Sequence, residues 1–136
     1  AAESVGAMQC VLDITVEYLK TRTQFGRPIG DFQVLQHRAA DMYVAVEEAR
    51  SIAIYAAMMV MEVDIEKRRH AMSTTKAQIG LSCREVGQGG VQLHGGIGIT
   101  EEYAIGHYFK RLSMIERQFG DFEHHMTILS MMDTPE

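Results

Sequence analysis

The 136 residues, 46% hydrophobic and 23% charged with only two prolines, suffice for one domain with its own core and argue against disorder or a low-complexity tail. A net charge of −5, with basic residues that gather into no stripe, argues against a nucleic-acid surface. The longest apolar run, Ile52 to Met61, is interrupted by Tyr55 and falls short of the roughly 20 residues of a membrane span.

From Ala1 to Thr21, Val5, Met8, Val11, Leu12, Val16 and Leu19 recur three to four apart, the period of a helix with one buried stripe. Arg22 to Gly30 holds two glycines and Pro28 and reads as a tight loop. Asp31 is the expected cap of a second helix running past Met58, through Val34, Leu35, Met42, Val46, Ala49, Ile52 and Ala56. The charged stretch Asp64 to His70 reads as a solvated connection, with Ser73 or Thr74 beginning a third helix through Lys76, Ile79, Cys83 and Val86.

Gly87, Gly89 and Gly90 then predict helix distortion or close packing, since each glycine weakens a helix by up to about 1 kcal/mol relative to alanine. His94-Gly95-Gly96-Ile97-Gly98 is a loop, and Thr100 is the expected cap of a fourth helix from Glu101 to Gln118. Gly120 breaks that pattern and Asp121 caps a short last helix, Phe122 to Met132. No segment alternates with period two, so the predicted fold is all-α: a four-helix up-down bundle with a short additional C-terminal helix and no sheet, filling residues 1–136 as one domain.

Cys10 and Cys83 fit no metal-ligand spacing and no disulfide framework; both read as buried thiols, which favours a reducing compartment. A bacterial cytoplasmic protein is expected ahead of a mitochondrial-matrix one. The chain opens at Ala1 on a helix-like sequence without an initiator Met, as a fragment of a longer protein would. Adjacent His124 and His125 point about 100° apart on a helix and are expected to bind no metal. The methionines, among them Met58, Met59, Met61, Met131 and Met132, read as core filler. By spacing alone both glycine loops are helix-connecting turns, and Arg22 and Arg27 are surface arginines about one core anchor, Phe25.

A set of segments in order alters that reading: Ala2-Glu3-Ser4-Val5-Gly6-Ala7; Tyr18 to Ile29 (YLKTRTQFGRPI); Phe32-Gln33-Val34-Leu35-Gln36-His37; Ala40-Asp41-Met42; and Val91 to Tyr103 (VQLHGGIGITEEY). Across nearly its whole length the chain resembles the C-terminal domain of acyl-CoA dehydrogenases. The resemblance implies a four-helix domain that packs on a middle β-domain and pairs with the same domain of another subunit, holding FAD between them. It implies that Arg22, Gln24 and Phe25 reach the FAD diphosphate and neighbouring groups across the interface, that Gln33 lies near the cofactor, and that Gln92, Gly95 and Gly96 meet its adenosine end. It also implies an acyl-CoA substrate, electron-transfer flavoprotein as acceptor, and a homo- or hetero-oligomeric dimer or tetramer.

The implied reaction removes an α-proton by a glutamate and passes a β-hydride to the flavin, giving a 2-enoyl-CoA. In many members that glutamate directly precedes a glycine near the end of the helix that follows the Gly-Gly-x-Gly loop; counted from His94-Gly95-Gly96, the position is Phe119, which cannot accept a proton. Asp121 and Glu123 stand where Thr and Gln usually help hold adenine. Three explanations follow: a shifted base at Asp121 or Glu116, a glutamate on the first helix slightly before Ala1, or a non-catalytic subunit of a heteromeric enzyme. The third is preferred, because the apolar base position and altered adenine contacts occur together; Glu3 is the weakest candidate base. The rival is a helical dimerisation module that has lost flavin.

Overall fold

The periodic apolar stripe of the first segment winds into α1 (Ala2–Thr21), with Met8 and Val11 fully buried. It stops where Arg22 turns extended and donates its N–H to the Tyr18 carbonyl. In the computed structural model, which describes residues 1–132, there follow β1 (Thr23–Gln24), β2 (Arg27–Pro28), a 3-10 turn (Ile29–Asp31), α2 (Gln33–Met59), α3 (Ile65–His94), a second 3-10 turn (Gly95–Ile99), α4 (Ala104–Arg117) and α5 (Phe122–Met132).

The expectation of no sheet needs correction, though only locally. Thr23 pairs with Pro28 and Gln24 with Arg27 in a two-residue antiparallel ladder. Its connecting residues, Phe25 and Gly26, have φ of +54° and +78°, the double left-handed geometry of the two-residue hairpin turn that matches strand twist. So short a ladder leaves no room for period-two alternation to show.

Three helix starts also move. Asp31 lies inside the 3-10 turn and Phe32 stands at the start of α2. α3 begins at Ile65, because the Asp64 carboxylate accepts hydrogen bonds from Glu66 N (3.0 Å) and Lys67 N (3.2 Å), so the charged stretch forms its first turns. α4 begins at Ala104; Thr100 Oγ1 donates to Ile97 O at 2.8 Å and closes the 3-10 turn, leaving Glu101 and Glu102 in the connection.

Packing partners give the topology. Gln9 meets Arg50, Gln78 meets Glu48, and Glu3 meets Arg111, so each helix of α1 to α4 runs opposite to the one before it. α3 is the central strut: at 30 residues it is about 45 Å long, and its small residues let α1, α2, α4 and α5 approach it. α4 covers its C-terminal half, where Gly87 faces Phe109 and Leu112. α5 covers the N-terminal half, where Met132 joins Glu66, Lys67 and His70. The turn carrying Phe119 and Gly120 lies where α4 and α5 meet, beside Lys76.

The glycines of α3 serve close packing, and the helix runs through them unbroken. A methyl group at Gly90 would lie 2.6 Å from Val11 Cγ1, and one at Gly89 would lie 3.0 Å from Met42 Sδ. Gly90→Ala is therefore expected to destabilise the full-length protein by about 1–2 kcal/mol, overpacking outweighing the gain in helix propensity. Urea unfolding read on the folded baseline of this domain checks the sign.

The methionine expectation divides. Met8 and Met42 are core, whereas Met58, Met61 and Met131 are 71%, 82% and 73% exposed, because the α2–α3 connection and α5 lie at the rim. Burial pushes the Cys83 thiol up to about 11; Cys10 is only half-buried, contrary to its expected burial, and both are free. Of the 27 residues of α2 only Met42, Ala45, Val46 and Ala49 are buried, leaving Val34, Tyr43, Val44 and Ile54 in solvent. No helix among the described residues is long and apolar enough to cross a membrane.

Candidate functional site

The end of α1 and the end of α3 come together through stacked aromatics. Tyr18 lies on His94 with ring centroids 4.4 Å apart, and Tyr103 tilts against the same imidazole at 5.2 Å. His94 is buried; its Nδ1–H donates to Gly90 O at 2.7 Å and its Nε2 has no partner. These three rings join the hairpin after α1 to the glycine turn after α3. Sequence reasoning quoted all three within its motifs and gave them no role, since nothing local shows that positions so far apart will stack.

Burial holds the His94 imidazole below its usual 6.5. Below pH 6.5 the unfolded chain binds a proton here that the folded chain resists. Stability is thus full above that pH and falls as pH drops toward the folded value. His94→Phe, which keeps an aromatic ring in the stack, is expected to flatten the urea midpoint between about pH 7 and 5. His125, also lowered by burial, supplies part of the remaining slope.

Around this joint the predicted cofactor residues are displayed outward. Arg22, Gln24, Gln33 and Gln92 are exposed, and Phe25 is 91% exposed, so Phe25 is no core anchor. Arg27 sits over the Phe32 ring at 4.1 Å, and Phe25 meets that ring edge-on at 6.1 Å. An apolar ring held in water on a left-handed backbone costs strain and solvation. Gly95 has φ +63°, and a Cβ at Gly95 or Gly96 would meet nothing within 4 Å, so this backbone is open to a ligand. Gly98 differs, since a Cβ there would come within 2.9 Å of Val91 O. Guanidinium, amides, one aromatic face and bare backbone suit a diphosphate and a flat heterocycle.

The second group lies along α3 toward its N-terminus: Lys76 to Gln92 spans about 24 Å at the helical rise. Here the α4–α5 turn carries Phe119 at φ +62° and Gly120 at φ +98°, with Phe119 91% exposed. Lys76 Nζ donates to Glu116 O at 2.7 Å and Gly120 O at 2.8 Å, and His125 Nε2–H donates to Phe119 O at 2.9 Å. A Cβ at Gly120 would overlap the His124 ring.

Two carboxylates near this turn, Glu116 and Asp121, are engaged. Glu116 is ion-paired with Arg84. Asp121 Oδ1 accepts from His124 N at 3.0 Å, and that bond holds its carboxyl below the usual range. Glu3 pairs with Arg111 at 2.5 Å. The rings of His124 and His125 meet edge-on at 5.1 Å, and among the described residues no cluster of three or more His, Cys, Asp or Glu could hold a metal.

A central helix flanked by antiparallel partners, with a hairpin and a glycine turn side by side at one end, defines an all-α domain with an open surface of guanidinium, amide, aromatic and bare backbone groups at that end. Comparison with known proteins then fixes the family. Residues 1–132 match the family model described as "Acyl-CoA dehydrogenase, C-terminal domain", and the chain belongs to the acyl-CoA dehydrogenase family. It is 44% identical over 115 residues to acyl-CoA dehydrogenase IpdE2 of Mycobacterium tuberculosis, covering 82% of this chain and 33% of that one. Among solved structures it is similar to a variant of the Tcur3481-Tcur3483 steroid ACAD, with TM-score 0.89 and 31% identity over 95% of this chain and 35% of that one. It is also similar to the ChsE4-ChsE5 complex of Mycobacterium tuberculosis, with TM-score 0.88 and 28% identity over 98% of this chain and 36% of that one. The chain thus spans about a third of the length of these relatives.

Proposed function

We infer that the chain is the C-terminal domain of an FAD-dependent acyl-CoA dehydrogenase acting as the non-catalytic subunit of a heteromeric enzyme. One observation carries this reading: the candidate residues fall into two groups about 24 Å apart along α3, each an incomplete wall that other chains or domains must close. The cofactor-facing group, Arg22, Gln24, Phe25, Gln33, Gln92, Gly95 and Gly96, would bind the FAD diphosphate and adenosine end, in a site shared with another subunit. Bound there, FAD supplies the acceptor for a hydride taken from the acyl β-carbon. Arg22 offers charge to the diphosphate, Phe25 shields it from water, and the open backbone at Gly95 and Gly96 lets the nucleotide lie close.

The second group supplies no base. Phe119 has no proton acceptor, Glu116 is held by Arg84, and the Asp121 carboxylate is committed to the His124 N–H at the start of α5. A partner subunit then provides the glutamate, and the ChsE4-ChsE5 complex shows that a related fold occurs in a two-protein assembly. The acyl-CoA substrate, electron-transfer flavoprotein as acceptor and a bacterial cytoplasmic setting follow the family and the mycobacterial relative. The test is purification of the full-length protein alone and with its partner. Yellow protein reduced by acyl-CoA only in the pair is expected; colourless protein that FAD cannot reconstitute would instead favour a dimerisation module.

A further inference from the structure

The α4–α5 turn is fastened far more heavily than a helix connection requires. The Lys76 ammonium is half-buried, and both of its hydrogen bonds go to backbone carbonyls, Glu116 O (2.7 Å) at the end of α4 and Gly120 O (2.8 Å) just before α5. Between those two points the Phe119 carbonyl is taken by His125 Nε2–H at 2.9 Å. The turn so held contains two successive left-handed residues, one of them a phenylalanine that gains no burial from the arrangement. Left-handed backbone at a bulky residue persists only where its surroundings over-determine it. Here the surroundings are a cation reaching across from α3 and an imidazole reaching back from α5.

A connection that only joined α4 to α5 could relax, turn Phe119 inward and drop the strain. Lys76 prevents this while also satisfying carbonyls that the end of α4 leaves free. We propose that Lys76 is a positioning residue, seconded by His125, that locks the α4–α5 turn so that Phe119 is delivered at one fixed place on the wall facing bound acyl-CoA. This rests on the acyl-CoA dehydrogenase reading above and adds to it a residue on α3 that touches neither substrate nor flavin. Fixing an exposed apolar side chain in advance removes the ordering cost of a later contact.

The test uses the full-length protein with its partner and FAD, in Lys76→Met, Lys76→Arg and Gly120→Ala forms. Lys76→Met is expected to speed amide exchange at Gln118, His124 and His125, whose N–H groups are bonded around this turn, about tenfold or more while leaving the α3 amides around Val86 protected. The octanoyl-CoA concentration that gives half the limiting rate of anaerobic flavin bleaching is expected to rise about fivefold or more. Lys76→Arg, whose guanidinium also donates twice, should restore both readings. Gly120→Ala, which loosens the turn from outside α3, should reproduce the defect even if Lys76→Met fails to fold.

Unchanged exchange in the turn overturns the clamp, as does acceleration spread equally through α3 and α4, which marks a general packing role. A loosened turn with an unaltered octanoyl-CoA dependence overturns the positioning of Phe119. Exchange needs no flavin, so a colourless protein would overturn the function proposed above while the exchange arm still decides the clamp.

Discussion

Phe119→Glu in the full-length protein, prepared without any partner, is expected to gain acyl-CoA dehydrogenation at least about 100-fold above the unaltered homo-oligomer, the lower end of what a positioned general base contributes. The substitution asks little of the fold. Phe119 is 91% exposed at φ +62°, and an unbranched glutamate tolerates that backbone no worse than phenylalanine. Lys76 beneath the same turn favours the ionised form of a carboxylate placed there, which is the form that accepts a proton. Turnover of acyl-CoA with an artificial electron acceptor is the measurement. Full activity in the unaltered homo-oligomer would refute the non-catalytic reading, and a flavin-bound but inert Phe119→Glu protein would place the missing function elsewhere than in the base.

The second large effect concerns the other end of the bundle. Arg22→Ala is expected to weaken FAD retention by the full-length assembly roughly 10- to 100-fold, the loss of one or two charge-assisted hydrogen bonds to a phosphate. Arg22 is exposed and its guanidinium has no acid partner among the described residues, so removing it should leave the thermal transition of the assembly's apo form unchanged. Arg22→Lys should recover only part of the affinity, since an ammonium restores charge without the planar pair of donors. Flavin released on gel filtration and quantified by absorbance reads both variants. Equal flavin content in all three proteins would remove Arg22 from the cofactor wall.

The bundle was legible because burial imposes a period. Val5, Met8, Val11 and Leu12 announce α1 long before any contact is known. The starts of α3 and α4 were not, because Ser73, Thr74 and Thr100 are as plausible as caps by residue type as Asp64, and the choice depends on which backbone N–H groups each can reach. The two-residue ladder at Thr23 and Gln24 escaped for a related reason: it is held by the Phe25-Gly26 turn and has no hydrophobic alternation of its own. At the site, residue types suggested chemistry for Arg22 and Phe25 only through the family resemblance; alone they read as surface and core. That Asp121 and Glu116 are already engaged was invisible, since His124 N and Arg84 are brought to them by the α4–α5 turn and by α3.

α3 is one uninterrupted helix between Lys76 under the Phe119 turn and Gln92 beside the glycine turn. It therefore works as a gauge block, setting both the separation and the rotational phase of the surfaces at its two ends. A single-residue insertion between Lys76 and Gln92 would lengthen it by only about 1.5 Å but rotate everything beyond by about 100°. The glycine turn would then face away from the hairpin end of α1, which it now adjoins through the Tyr18–His94 stack. Length variation should accordingly be tolerated in the connection before Asp64 and excluded from α3, a constraint on the evolution of this domain set by helical phase rather than by the chemistry of any one residue.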